Sequence, residues 1–195
     1  MVATRAERGD RFIHGERLHV LIKELLEAHS VSFSALTGIC VGKGTGSYTG
    51  LRIGVSTAKG LCFALGIPLY SVPTLGCFDF SNCTTPYVIT VLDARRDEVY
   101  AQVWRLGEEG LMPDGAVEAV IITDDSWKSL QNQPVTIMGE GVEKMGQFMT
   151  QIPESWQLQA NSDPDAKYMG AHLSVLPVAE DVAYFEPYYL KDFVA

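Results

Sequence analysis

Apolar residues recur with two different spacings along this chain, and the spacings mark out its elements. Leu18, Leu21, Ile22, Leu25 and Leu26 fall on one side of a helical wheel, with Arg17, Lys23, Glu24 and Glu27 mostly opposite. This predicts an amphipathic helix from Glu16 to His29. Ile39-Cys40-Val41 is a short apolar run that reads as a strand. A second helix is expected from about Leu51 to Leu65, because Leu51, Val55, Ala58, Cys62 and Leu65 form one stripe suited to packing on a sheet. Gly66 stops it, Pro68 follows, and Leu69 to Val72 is the next strand. Pro73 to Pro86 shows no regular period. Tyr87 to Asp93 and Glu98 to Arg105 are β-rich and flank Ala94-Arg95-Arg96-Asp97, which reads as a hairpin. Val135 to Met138 is a short strand leading through Gly139-Glu140-Gly141 to a helix near Val142 to Met149. Asp163-Pro164 supplies an N-cap and a first-turn proline for one more helix.

Between the first strand and the second helix lies a glycine-rich loop. Gly42, Gly44 and Gly46 alternate with other residues, and Ser47 or Thr49 can cap the helix that follows. Such a loop can cradle a phosphate, but its spacing is neither of the two familiar glycine fingerprints, and a purely structural turn is the competing reading. Gly50, Gly54 and Ala58 then recur every four residues along the helix. A glycine in a helix interior costs ~1 kcal/mol relative to alanine, so close approach by something else should compensate. That neighbour is either an element of the same domain or a second subunit.

Composition narrows the class. The chain has 195 residues, 47% of them hydrophobic and 20% charged, enough for one large domain or two small lobes. A formal charge of −9 argues against independent nucleic-acid binding, which needs a basic surface. Cys40, Cys62, Cys77 and Cys83 form no Cys-x-x-Cys pair and read as structural thiols. With no secretory h-region and no apolar run of membrane-spanning length, the expected location is cytoplasmic, away from any membrane.

No catalytic constellation stands out in the sequence. His14, His19, His29 and His172 are available, and His14 to His19 superficially resembles the zinc pattern His-Glu-x-x-His. Its histidines are five apart, hence ~140° apart on a helix, and its glutamate is one place late. There is no Gly-x-Ser-x-Gly elbow and no nucleophile motif around a cysteine. Asp93, at the end of a strand, reads either as a phosphate-handling carboxylate or as a solvated turn residue. Arg95 and Arg96 invite an anion, although Asp93, Asp97 and Glu98 beside them favour local ion pairs.

Three segments together carry a resemblance. Gly42 to Gly66, Val91 to Tyr100 (Val-Leu-Asp-Ala-Arg-Arg-Asp-Glu-Val-Tyr) and Phe185 to Phe193 (Phe-Glu-Pro-Tyr-Tyr-Leu-Lys-Asp-Phe) resemble the TsaB/YeaZ family of Gcp-like proteins, in order and over nearly the whole chain. The family loop usually carries proline where Thr45 stands. The resemblance implies an actin/hexokinase/heat-shock-ATPase-like duplicated fold, with lobes at 1–86 and 87–195. It implies a non-catalytic partner of TsaD in threonylcarbamoylation of adenosine 37 of tRNA, with the metal and chemistry on TsaD. The ATPase TsaE would act on the assembled pair, tRNA would be met only through the complex, and a homodimer would form when the chain is alone. A nucleotide at the interface with TsaD is compatible with this picture.

The implied partner surface comprises Leu18, Leu21, Ile22 and Leu25 of the first helix with Gly50, Gly54, Ala58 and Leu61 of the second. The glycine-rich loop contributes Gly42, Gly44, Gly46, Ser47, Thr49 and Arg52. Relatives also begin with two strands ahead of the segment represented here by Val2 to Arg8. The expectation is a shortened first lobe, arising from a truncation or a misplaced start, or else direct pairing of Val2 to Arg8 with the strand at Ile39. Two other functions stand beside the scaffold: a glycopeptidase-type metalloenzyme and an actin-like ATPase or small-molecule kinase.

Overall fold

The computed structural model describes residues 3–7, 14–108, 110–170 and 178–191, except for the side chains of His14 and Glu16. The chain divides into two compact units, Met1–Cys77 with Ala166–Tyr188 and Phe78–Asp165 with Tyr189–Ala195. His172, Asp192 and Phe193 lie outside the described residues.

In the first unit, helix α1 (His14–Ala28) is followed by strand β1 (Ile39–Gly42), helix α2 (Tyr48–Leu65) and strand β2 (Leu69–Val72). β1 and β2 pair in parallel with Ile39 opposite Leu69, and α2 is the crossover that lies against β1. The ends of α2 are fixed by local chemistry. Ser47 Oγ accepts a bond from the Gly50 N–H at 3.3 Å, and Gly66 closes the helix at φ 65°, donating its N–H to Cys62. The buried stripe of α2 is Val55, Ala58 and Cys62; Ala58 and Cys62 pack with Leu69 against the half-buried Ile39, Val41, Ile67, Val182 and Phe185.

The C-terminal segment of this unit is stitched on by backbone bonds. Glu180 N–H donates to Leu69 O at 2.8 Å, and Tyr188 N–H donates to Lys43 O at 2.7 Å. Lys59 Nζ donates to the carbonyls of Ala183 and Phe185 at 3.1 and 2.8 Å. Direct pairing of Val2 to Arg8 with β1 is not what the described residues do. Ala3–Glu7 hold no strand, and β1 pairs with β2 alone among the described residues. β1 is half-buried at all four positions, whereas β2 is buried at three of four.

The second unit is a mixed sheet of β3 (Tyr87–Asp93), β4 (Glu98–Gly107), β5 (Gly110–Pro113), β6 (Glu118–Ile121), β7 (Val135–Met138) and β8 (Trp156–Gln159). The order is β5-β4-β3-β7-β8, with β6 also on β4; β3 and β4 form the expected hairpin, while β7 runs parallel to β3 and β8 to β7. β3 lies in the middle of this sheet, and Val88 through Leu92 are all buried, which explains an apolar run with no alternation. Its one polar member, Thr90, accepts a bond from Trp104 Nε1 at 2.9 Å.

Helix α3 (Glu143–Phe148) covers this sheet through Val142, Met145 and Met149 in the core. Its approach is set by two glycines. Gly139 sits at φ 122°, and a Cβ there would overlap the Val91 carbonyl oxygen. At Gly141 a Cβ would fall 2.9 Å from Val99 Cγ1.

The helix expected at Asp163-Pro164 starts later. Residues 162–165 are irregular, and helical structure begins with the short turn Ala166–Tyr168. The strands β5, β6 and β8 have no counterpart in the sequence reading.

Candidate functional site: the α1/α2 face

The apolar stripe of α1 does not find a full partner within its own unit. Leu18, Leu21, Ile22, Leu25 and Leu26 are all half-buried, and none is buried. α1 leans on α2, where His19 Nε2 lies 3.4 Å from Thr57 Oγ1. Between the helices is a cleft of about 270 Å³ lined by Leu18, Leu21, Gly50, Ile53 and Gly54, with the ion pair of Glu7 and Arg17 at 2.9 Å on its rim.

The glycines of this cleft are not demanded by the fold. Among the described residues, a Cβ on Gly50 would meet only Ser47 of its own helix, and one on Gly54 would meet only Val41 Cγ2, at 3.9 Å. Leu61 is half-buried on the same helix. Ala58 is placed differently: at 6% exposure it belongs to the unit's own core and does not line the cleft. The structure thus brings Leu18, Leu21, Gly50 and Gly54 together around one opening.

The glycine-rich loop is engaged by its own chain. Lys43 N–H donates to Val72 O at 2.8 Å, Gly44 N–H to Thr74 Oγ1 at 3.1 Å, and Thr74 N–H returns to Gly44 O at 2.9 Å. Gly44 sits at φ 115°, and a Cβ would lie 2.7 Å from the Tyr188 carbonyl oxygen. Glycine is therefore needed here for seating the C-terminal segment, and two of the loop's N–H groups are taken up before any phosphate arrives. Gly42 lies beside Thr74, Gly46 is open, and Ser47 is the helix cap. Thr49 is exposed. Arg52 Nη1 donates to Tyr48 OH at 2.9 Å with its guanidinium 5.1 Å from the Tyr48 ring centre.

In the second unit, Asp93 is bonded by Lys144 Nζ at 2.8 Å and by the Arg95 N–H. Lys144 itself is buried and also donates to Glu98 O at 2.7 Å. Glu98 pairs with Lys191. The local pairs expected for Arg95 and Arg96 are thus formed by two lysines distant in sequence, one of which, Lys144, sits in a helix that reads as ordinary amphipathic sequence.

Partial burial alone would raise the Asp93 pKa. The Lys144 hydrogen bond, the Arg95 N–H and the charges of both residues outweigh it and hold the carboxyl below its usual range. A depressed folded value stabilises above the unfolded pKa of about 3.9, and the contribution is lost as pH falls through the folded value. Asp93→Asn should therefore lower folding stability at pH 7, seen as a lower melting temperature, by less than about 1 kcal/mol since the carboxylate is half-exposed. The gap from the wild type should close in melts taken from about pH 4 down to about pH 2.

Among the described residues, no three His, Cys, Asp or Glu side chains gather into a metal-sized group. All four cysteines are free thiols, and burial pushes those of Cys40, Cys62 and Cys83 upward, away from thiolate chemistry. No described helix is long and apolar enough to cross a membrane.

A family model described as TsaD, tRNA N6-adenosine threonylcarbamoyltransferase, matches residues 12–189. The chain is 29% identical over 132 residues to the tRNA threonylcarbamoyladenosine biosynthesis protein TsaB of Escherichia coli K12, covering 64% of this chain and 56% of that protein. It is 31% identical over 133 residues to TsaB of Bacillus subtilis 168, covering 65% and 56%. The chain thus spans a little over half the length of these curated relatives. Among solved structures, YeaZ from Pseudomonas aeruginosa superposes with a TM-score of 0.76 at 25% identity, covering 92% of this chain and 85% of that one.

Proposed function

Since the chain belongs to the TsaD family of tRNA N6-adenosine threonylcarbamoyltransferases, with TsaB/YeaZ proteins as its relatives, we propose that it is a non-catalytic subunit supporting TsaD in tRNA threonylcarbamoyladenosine synthesis. The observation that carries this reading is the α1/α2 face. It combines a half-buried leucine stripe with two glycines on which, among the described residues, no other helix packs closely. Small residues in a helix let another helix approach closely, and the half-covered leucines supply apolar area to bury on docking, about 25 cal/mol per Å². The same face serves for pairing with TsaD and, when the chain is alone, with a second copy.

In this reading TsaD provides the metal and the transfer chemistry, and TsaE acts on the assembled pair in the cytoplasm. The positive field for tRNA comes chiefly from TsaD, since this chain carries a formal charge of −9. The two units, Met1–Cys77 with Ala166–Tyr188 and Phe78–Asp165 with Tyr189–Ala195, correspond to two actin-like lobes. Interface residues beyond the cleft are Ile22, Leu25 and Leu61.

Reconstitution tests it. TsaD from the same organism, supplied with tRNA and the threonylcarbamoyl adenylate, should modify tRNA efficiently only when this chain is added, whereas the chain without TsaD should modify none. Equal modification by TsaD with and without the chain would refute the supporting role.

A further inference from the structure

The tip of the β3-β4 hairpin is built against the conformational preference of its own residues. Arg95 lies at φ 70° and Arg96 at φ 49°. Left-handed backbone is adopted freely by glycine and tolerated by asparagine, but two consecutive long L side chains adopt it at an energetic cost. Outliers of this kind persist only where surrounding structure holds them.

Here that structure is explicit. Ala94 N–H donates to Glu98 O and Glu98 N–H to Arg95 O, each at 3.1 Å. Ile122 N–H donates to Asp97 O at 2.8 Å. The buried Lys144 ties Asp93 Oδ1 to Glu98 O across the base of the hairpin.

The same bracing takes up part of the neighbouring negative charge, the Asp97 carboxylate not being among the groups it engages. Asp93 is paired with Lys144, Glu98 with Lys191, and Glu140 accepts a bond from the Asp93 N–H. Arg95 bonds Asp93 through its backbone N–H, and its guanidinium acts on that carboxylate only through space. Among the described residues, neither the Arg95 nor the Arg96 guanidinium has an ion pair or side-chain hydrogen bond, and both residues are exposed. An acidic chain therefore presents, on a braced tip, two adjacent guanidinium groups that hold no ion pair or hydrogen bond among the described residues. Each is a planar fork of donors matched to an oxyanion, and their adjacency suits successive anionic groups.

We propose that the Arg95–Arg96 tip is an RNA-phosphate contact, through which this chain touches the tRNA backbone when its complex with the catalytic subunit holds substrate. The proposal rests on the reading given under the proposed function. It adds a contact to that reading, in which TsaD supplies the main positive field. RNA is favoured over an acidic protein surface because the substrate shared by the complex is a polyanion whose phosphates fit the guanidinium fork.

The test is the salt dependence of tRNA binding by the complex of this chain with TsaD. The wild type is compared with R95G/R96G and R95K/R96K, and complex formation is followed separately by light scattering. The glycine pair relieves the left-handed backbone, so this variant should melt no lower than the wild type and should still join TsaD. Its tRNA affinity should fall about tenfold near 0.1 M salt, with a plot of log affinity against log salt shallower by about 1.5 units. The lysine pair should keep most of that slope. Unchanged affinity and slope in R95G/R96G would overturn the proposal and leave the scaffold reading standing. Weakened joining to TsaD with normal tRNA binding by the complex that forms would also overturn it, making the tip a protein contact. Failure of the wild-type chain to join TsaD would overturn the reading beneath and this proposal with it.

Discussion

Gly139→Ala is expected to unfold the second unit or to destabilise it by more than about 3 kcal/mol, read from the urea midpoint or the melting temperature. Two penalties coincide at this position. The backbone is at φ 122°, outside the regions open to an L-residue, and the added methyl would occupy the place of the Val91 carbonyl oxygen. That oxygen belongs to the fully buried Val91, paired with Ala101 of β4 and next to the Thr90–Met138 pair that ties β3 to β7, so it cannot move aside cheaply. Gly146→Ala, in α3, provides the control. Among the described residues a Cβ there meets nothing within 4 Å, and the helix should gain up to about 1 kcal/mol.

Gly54→Leu is expected to separate docking from folding. The substituted side chain enters the cleft between α1 and α2, where among the described residues a Cβ meets only Val41 Cγ2, at 3.9 Å. The isolated chain should melt at the same temperature or higher, since leucine is the better helix former by up to about 1 kcal/mol. Binding to TsaD should weaken by about 100-fold or more, because the partner helix can no longer approach the backbone. Ala58→Leu should behave in the opposite way. Its methyl lies in the core with Cys62 and Leu69, so a larger side chain overpacks it and costs about 1–3 kcal/mol of folding stability. If Gly54→Leu binds TsaD as tightly as the wild type, the α1/α2 face is not the docking surface.

The contrast between Gly54 and Ala58 shows what the sequence could and could not specify. Spacing of four makes Gly50, Gly54 and Ala58 look like one face, but each step of four drifts by about 40° around the helix. Two steps carry Ala58 from the cleft into the core, where the stripe through Val55 and Cys62 had also placed it. Periodicity found α1 and α2 because each is long enough to display its stripe. It could not say whether the α1 stripe would be fully covered, since that depends on the area its neighbours offer.

Strands β2, β3 and β7 match the sequence reading end to end because apolar, β-branched runs bounded by turn residues define them. β5, β6 and β8 were not legible. Each is four residues long; β5 includes Gly110 and Pro113, while β6 and β8 have half-exposed or polar positions that carry little signal on their own. Their place comes from pairing with β4 and β7, a tertiary effect. The Asp93–Lys144 pair was hidden for a similar reason: its partners are 51 residues apart, and only the approach of α3 to the hairpin brings them together. The glycine-rich loop was visible as a loop, but its function as a seat for Tyr188 depends on a segment more than a hundred residues later.

The central claim is that this chain docks onto TsaD through a surface it leaves half-covered. It is tested most directly by size-exclusion chromatography with light scattering on the chain alone and mixed with TsaD from the same organism. A one-to-one complex whose mass is the sum of the two chains is expected. A folded chain that elutes unchanged in the presence of TsaD would contradict it.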